Sequence, residues 1–123
     1  YNDKINISDS FIKAYWFCTY DQHDNQEYHC HNSMSELINN VVYHPTFSGI
    51  YILNDENKSS SIVFKSNVVP IGHTVYPFVF DTGKHGDIKE GVVLIFPKSL
   101  EHMVKKCIKP GRRTIAFNVY SSL

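Results

Sequence analysis

The sequence predicts an all-β protein of about eight short strands with little helix. Valine, isoleucine, phenylalanine and tyrosine dominate its apolar residues, and this composition is typical of strands. Glycine, proline, asparagine and aspartate interrupt the apolar runs at short intervals, and no long amphipathic helix pattern is present. Regularly spaced short strands favour a sandwich or a barrel. A double-stranded β-helix (jelly roll) has this number of strands, so we expect that fold.

Length and composition limit the other properties. A chain of 123 residues is expected to form one domain over residues 1–123. Its 12 basic and 12 acidic residues balance, so nucleic acid and anionic membrane surfaces are not indicated as partners. No run approaches the roughly 18 apolar residues that span a bilayer. Three cysteines without paired spacing predict reduced thiols and a cytoplasmic location.

The N-terminal half contains three strand candidates and one ambiguous segment. Phe11–Tyr20 is the first strong strand, and Gln26–His31 follows a polar loop. Residues 32–43 suit either a short helix that ends at Asn39-Asn40 or a strand through Val41-Val42-Tyr43. Ser48–Leu53 is then a confident strand. We also expect the N-terminal region to supply an edge strand that could pair with another copy of the chain.

The C-terminal half is predicted to contain the remaining strands. A polar tip at residues 54–60 leads into a returning strand, and residues 65–72 are read as a connection. Pro77 indicates an edge strand or a bulge, and Pro97 ends the next strand because proline cannot donate to a ladder. The predicted segments are Ser61–Phe64, Val75–Phe80, Gly91–Phe96, Met103–Lys106 and Arg112–Asn118.

Two histidines form the first candidate site. His29 and His31 are two residues apart, so on a strand both side chains point to the same face. Two imidazoles on one face, joined by a histidine from a facing strand, form a facial metal site. Exposed histidines at a loop edge are the alternative interpretation of the same spacing.

A second candidate lies in the last predicted strand. Strand alternation places Arg112, Thr114 and Ala116 on one face and Arg113 on the other. An arginine and a hydroxyl that project from the same face can bind a carboxylate. Both arginines could instead be solvated residues of the turn that follows Pro110-Gly111.

The C-terminal third carries a longer pattern around these residues. It reads Gly91…Phe96-Pro97…His102-Met103-Val104…Gly111-Arg112-Arg113-Thr114…Phe117-Asn118. This segment resembles the C-terminal signature of iron(II)/2-oxoglutarate-dependent oxygenases, and most of all a small phage and bacterial, prolyl-hydroxylase-like branch. The likeness is close over the C-terminal quarter and loose over most of the remaining chain.

The resemblance implies a hydroxylating dioxygenase with iron(II) and 2-oxoglutarate as cofactors. By register, His102 would bind iron together with His29 and His31, while Arg112 and Thr114 would hold the distal carboxylate of 2-oxoglutarate. Dioxygen would be the other small-molecule cosubstrate, and no catalytic residue beyond the metal ligands is implied. Tyr51 could reach the cofactor, although a core tyrosine explains it equally well.

The chain departs from the family pattern at one ligand. The family usually has a carboxylate two residues after its first histidine, and His31 occupies that position here. His31 could complete a three-histidine site, Glu27 or Glu36 could replace it, or the site could be degraded. The family's Ser-Gly strand also comes late, at Ser48-Gly49, so this chain carries an insertion or His44 replaces His29.

Two other functions are compatible with the sequence. A cupin-type protein with three histidine ligands would bind metal without 2-oxoglutarate, and Arg112 would then hold a substrate carboxylate. A non-catalytic jelly roll, such as a virion or binding module, would have kept the fold and lost the metal. No residue identifies a substrate.

Overall fold

The computed structural model describes residues 9–31, 33–55, 58–71 and 74–122. Within these ranges the fold is all β, with nine strands and one short 3-10 turn at Thr82–Lys84. The strands in chain order are β1 (Ser10–Tyr20), β2 (Gln26–His29), β3 (Glu36–Ile38), β4 (Val41–Asn54), β5 (Ile62–Ile71), β6 (Thr74–Asp81), β7 (Val93–Pro97), β8 (Glu101–Val104) and β9 (Arg112–Ser121).

The strands form two antiparallel sheets. The first has five strands in the order β1–β9–β4–β3, and β7 pairs with the second half of β4. The second has four strands in the order β2–β8–β5–β6. A register irregularity between Pro45 and Phe47 divides β4, because Pro45 has no N–H to donate. The first half of β4 pairs with β3 and the second half with β7.

Apolar side chains from both sheets meet in one core. Its members are Tyr20, Ile50, Ile62, Phe64, Phe96, Val104 and Cys107. A core shared by two antiparallel sheets is compatible with a β-sandwich. The all-β prediction is therefore confirmed. In the described part of the chain, no helix is both long and apolar enough to cross a membrane.

The ambiguous segment before β4 is a hairpin, so the helix interpretation was wrong. Asn39 and Asn40 have positive φ angles of 50° and 63°, as a two-residue hairpin turn requires. Asparagine tolerates this left-handed conformation better than most residues. The turn pairs β3 with the start of β4. With β3 included, the described residues form nine strands, one more than the sequence predicted.

The strand after the polar tip is longer than predicted. Residues 65–71 were expected to be a connection, but they continue β5 and pair with β6. Pro70 lies within this extension, and a register irregularity precedes it between Ser66 and Val69. The prediction of an edge strand at Pro77 is confirmed, because β6 ends its sheet.

Candidate metal centre

Three histidines meet where β2 and β8 pair. His29 ends β2 and lies directly opposite His102 of β8 in the antiparallel register. His31 follows two residues after His29, outside the strand, and its ring stacks at 14° to that of His29. The predicted common direction of the two side chains is therefore observed, and the sheet supplies the third histidine.

The three side chains are close enough to share one ion. One possible ligand atom from each lies within 4.8 Å of the others, and the described residues that form this group are all histidines. Ring centroids are 4.3 Å apart for His29 and His102 and 5.1 Å apart for His31 and His102. Metal–imidazole bonds are about 2.0–2.1 Å long, so small side-chain rotations suffice to bring the three nitrogens onto one ion.

Hydrogen bonds orient all three imidazoles in the same way. Each ring places Nδ1 against a protein oxygen, which leaves Nε2 as the nitrogen with a free lone pair. The pairs are His29 with the Glu27 carbonyl at 2.7 Å, His31 with Asn118 Oδ1 at 2.9 Å, and His102 with the Leu100 carbonyl at 3.1 Å. Because carbonyl and amide oxygens only accept, each Nδ1 is the protonated nitrogen.

Asn118 is itself held in place. Its Nδ2 donates to Ser33 Oγ at 2.9 Å, and the Ser48 hydroxyl donates to its Oδ1 at 3.3 Å. Asn118 and Ser48 are both buried on neighbouring strands, β9 and β4. The orientation of His31 is therefore determined by the five-stranded sheet, although His31 follows a strand of the other sheet.

Burial favours the neutral form of His31 and His102. The pKa of His102 is lowered to about 4, mainly by desolvation; the hydrogen bond to the Leu100 carbonyl opposes this shift, and the neighbouring His29 and His31 add smaller lowering effects. Burial also lowers the pKa of His31, and its bond to Asn118 opposes this shift. Neutral imidazole is the metal-binding form, so His31 and His102 need no deprotonation at neutral pH to bind an ion.

A small cavity of about 30 Å³ lies against the histidines, with room for about two water molecules. Alternate side chains of β1 and β9 line one side of it: Trp16, Cys18, Tyr20, Arg112, Thr114 and Ala116. The predicted common face of Arg112, Thr114 and Ala116 is therefore confirmed. Arg113 is exposed, as strand alternation requires.

Arg112 is the most buried charge of the cavity, with 2% of its surface exposed. Its Nη1 donates to Asp55 Oδ2 at 2.9 Å and to the Ser60 carbonyl at 3.2 Å. Its Nε is buried without a hydrogen-bond partner among the described residues. One edge of the guanidinium is thus neutralised by Asp55, and Nε retains one unused donor.

Tyr20, Cys18 and Asn118 are site residues that the sequence analysis did not select. The Tyr20 hydroxyl interacts with Cys18 and Thr114, and burial raises its pKa well above the usual range. The three cysteines form no disulfide with one another, in agreement with the predicted reduced thiols. Alternation along β1 would have placed Cys18 and Tyr20 on the same face as Trp16, but nothing in the sequence shows which face is inward.

The structure does not bring Tyr51 to this cavity. Ile50 lines the cavity and Ile52 is buried, so Tyr51 between them projects from the opposite face of β4. This position does not favour the predicted contact of Tyr51 with a cofactor bound at the histidines.

The other candidate ligands also lie outside the cluster. His44 is exposed and bonded to Ser35 Oγ at 2.7 Å, and the Glu36 carboxylate pairs with Lys13. Glu27 contributes its backbone carbonyl to His29 and is not part of the group that could share an ion. Of the arrangements left open by the sequence, the three-histidine set is the one that the described residues assemble.

The residues present fit a metal ion better than they fit 2-oxoglutarate. Three neutral imidazoles suit iron, zinc, copper or nickel in the divalent state. Asp55 already occupies Nη1 of Arg112, a donor that the distal carboxylate of 2-oxoglutarate would use. Comparison with protein-family models, curated proteins and solved structures gives no match to this chain.

Proposed function

We propose that this protein is a cupin-type metalloenzyme that binds one iron(II) ion through His29, His31 and His102. The observation that carries the proposal is the orientation of the three imidazoles, each with its Nδ1 bonded to a protein oxygen. A cluster without a metal-binding role has no need for three satisfied Nδ1 atoms that leave three Nε2 lone pairs free, in side chains whose possible ligand atoms lie within 4.8 Å of one another. Such outer partners commonly orient histidine ligands.

The strand order supports the jelly-roll form of this proposal. Without the short β3, eight strands remain in two sheets of four, β1–β9–β4–β7 and β2–β8–β5–β6. These orders match a jelly roll in which each sheet combines early and late strands. The short β3 would then be an insertion between the second and third strands of that fold, as the late Ser48-Gly49 motif predicts.

A set of three ligands favours catalysis over a structural role. Structural sites usually have four protein ligands, whereas catalytic sites keep a coordination position open. Bound iron(II) would supply oxidative chemistry with dioxygen. Three neutral ligands leave the full charge of the ion uncompensated, so we expect an anionic group of the substrate to bind beside it.

The chain's own residues would shape the reaction space. Trp16 lies 5.3 Å from His31 between ring centroids and covers one side of the cluster. The hydroxyls of Tyr20 and Thr114 supply polar contacts at the cavity wall, and Arg112 Nε supplies an unused donor. These groups would orient an anionic substrate and exclude bulk water.

A 2-oxoglutarate-dependent oxygenase is the second candidate. Arg112 and Thr114, the residues that the family resemblance assigns to the cosubstrate, line the same cavity as the three histidines. This function requires Arg112 to bind a second carboxylate beside Asp55. For that reason it ranks below the cupin-type function.

The test is an anaerobic titration of metal-free protein with iron(II), in which calorimetry measures the binding. We expect one ion per chain, and we expect His102→Ala to lose binding. His44→Ala is the matched control, because His44 is the exposed histidine that the sequence left open as a ligand. Equal binding by the wild type and His102→Ala, or no binding by folded wild-type protein, would contradict the proposal and favour a non-catalytic module.

Addition of 2-oxoglutarate to the iron(II) protein separates the two candidates. A visible charge-transfer band that requires both components and weakens in Thr114→Val would favour the oxygenase. Iron binding without that band would favour the cupin-type enzyme. Thr114→Val keeps the side-chain shape, so the test does not depend on removing the buried Arg112.

A further inference from the structure

The outer face of the five-stranded sheet is apolar over four strands. Cross-strand neighbours form three rows on β1, β9, β4 and β7, on the side opposite the histidines. We call this surface the outer apolar face, and its rows are Phe17–Ile115–Tyr51–Val93, Phe117–Gly49–Ile95 and Ile12–Val119–Phe47–Pro97. Tyr15 extends the middle row on β1, where the register shifts between Lys13 and Trp16. Its twelve members include no charged residue.

The face is open in this chain. The exposed fractions are 74% for Tyr15, 65% for Phe17, 63% for Ile95, 59% for Ile12 and 49% for Val93. Isolated exposed apolar residues are normal on protein surfaces, but a contiguous array of this kind marks an interaction site. No described residue of the chain covers these five side chains.

The centre of the face is flat. Gly49 has no side chain, and a Cβ atom at its position would overlap the ring of Phe117. The ring therefore lies across Gly49 and is almost buried. A flat centre suits contact with another sheet, since aligned sheets pack face to face at a nearly constant separation of about 10 Å.

The area is that of a small specific interface. If a whole aromatic side chain presents about 200 Å², Tyr15 and Phe17 together expose roughly 280 Å². Ile12, Val93 and Ile95 add a comparable area. Specific interfaces at the low end of the size range bury roughly 500–600 Å² per partner, which this face can supply.

We propose that the outer apolar face binds a second copy of this chain in a two-fold symmetric dimer. A two-fold axis between the sheets and parallel to the strands places β1 of one copy over β7 of the other, and β9 over β4. The large side chains Tyr15 and Phe17 then face the smaller Val93 and Ile95. An axis perpendicular to the strands would place β1 of one copy over β1 of the other, so that large side chains would face large side chains.

This arrangement leaves the metal centre accessible. The histidines and their cavity lie on the inner side of the sheet, so the dimer joins two complete sites back to back. The arrangement also differs from pairing at the edge of β1, which would use backbone groups and leave the apolar side chains exposed. The dimer proposal does not rest on the proposed function.

The test is sedimentation equilibrium of the full chain over a range of micromolar concentrations. We expect a reversible dimer, and we expect Phe17→Lys and Val93→Glu each to raise the dissociation constant at least tenfold. Ile108→Lys is the matched control, because Ile108 is 64% exposed and lies outside the face. Thermal melting of dilute protein verifies that each variant folds.

The double variant F17K/V93E tests the direction of the axis. Phe17 and Val93 lie at opposite ends of one row, so within a single chain their side chains are too far apart to pair. In the proposed dimer each residue faces the other in the second copy, and we expect the double variant to recover at least part of the affinity. No recovery would overturn the proposed axis.

Two results would overturn the dimer itself. If the wild-type chain remains monomeric at the highest concentration measured, the face does not bind a second copy, and a different polypeptide would have to cover it. A dimer that is equally stable in Phe17→Lys and in the wild type would place the interface elsewhere, for example at the β1 edge.

Discussion

Each face of the five-stranded sheet carries side chains that reverse the usual polarity, although the inner face also contributes apolar residues to the core. The inner face buries polar side chains: Ser48, Arg112, Thr114 and Asn118 are each no more than 3% exposed. The outer face exposes apolar side chains from the same strands, such as Phe17 of β1 and Ile95 of β7. In a typical sheet with one solvated side, the buried face is apolar and the exposed face is polar.

This reversal shows that stability alone does not explain the arrangement. Burying polar groups costs free energy unless each is hydrogen-bonded, and exposing apolar groups forgoes the gain of burial. On the inner face, the hydrogen bonds of Asn118 and the Arg112–Asp55 ion pair offset the free-energy cost of burying polar groups. The outer face has no such compensation within the described chain, and a partner would supply it. Changes on the two faces should therefore differ sharply in effect.

The largest effect is expected on the inner side, for Asp55→Ala. Among the described residues, Arg112 would keep the Ser60 carbonyl as its one hydrogen-bond partner, and an uncompensated buried charge typically costs about 3–5 kcal/mol. Urea denaturation measures this loss. The control is Glu36→Ala, which breaks the exposed pair with Lys13 and should cost less than about 1 kcal/mol. Equal losses in the two variants would refute a special role for the inner pair.

The next effect is the pH dependence of the metal-free protein. The pKa of His102 is about 4 in the folded state, compared with 6.5 ordinarily, so the unfolded state binds more protons between these pH values. The stability contributed by neutral His102 is fully present above pH 6.5 and is lost as the pH falls towards 4. Melting temperatures at pH 7.5, 6 and 5 should decrease, and the slope should be shallower in His102→Gln. The exposed His23→Gln serves as the control.

A smaller effect is expected when the support of one ligand is removed. Asn118→Leu keeps His31 but deletes the acceptor for its Nδ1, and loss of such a partner typically lowers metal affinity by about 10–100-fold. Asn118→Asp keeps the acceptor and should retain most of the affinity. Competition with a chelator of known affinity measures both variants. Unchanged affinity in Asn118→Leu would show that the sheet does not orient the ligand.

The smallest effect is expected on the outer face. Phe17→Lys should change the unfolding free energy of the dilute monomer by less than about 0.5 kcal/mol, because the side chain is already 65% exposed. Chemical denaturation at low protein concentration measures this difference. A loss comparable with that of Asp55→Ala would mean that the face is already packed in the monomer and would remove the contrast between the two sides.

The sequence by itself determined the local features of this protein. Composition and turn residues predicted the all-β class, and alternation correctly placed Arg112, Thr114 and Ala116 on one face. Two-residue spacing also predicted that His29 and His31 would point together. These features depend on neighbouring residues in the chain, so periodicity is sufficient to find them.

Only the tertiary structure decided which face is inward and which distant residues meet. Periodicity assigned Tyr51 a face but could not show that this face is directed away from the histidines, a position that does not favour its predicted contact with a cofactor. The contacts of His31 with Asn118 and of Arg112 with Asp55 join residues 87 and 57 positions apart. Such pairs depend on strand order and register, which are determined by how the two sheets pack and not by any local pattern.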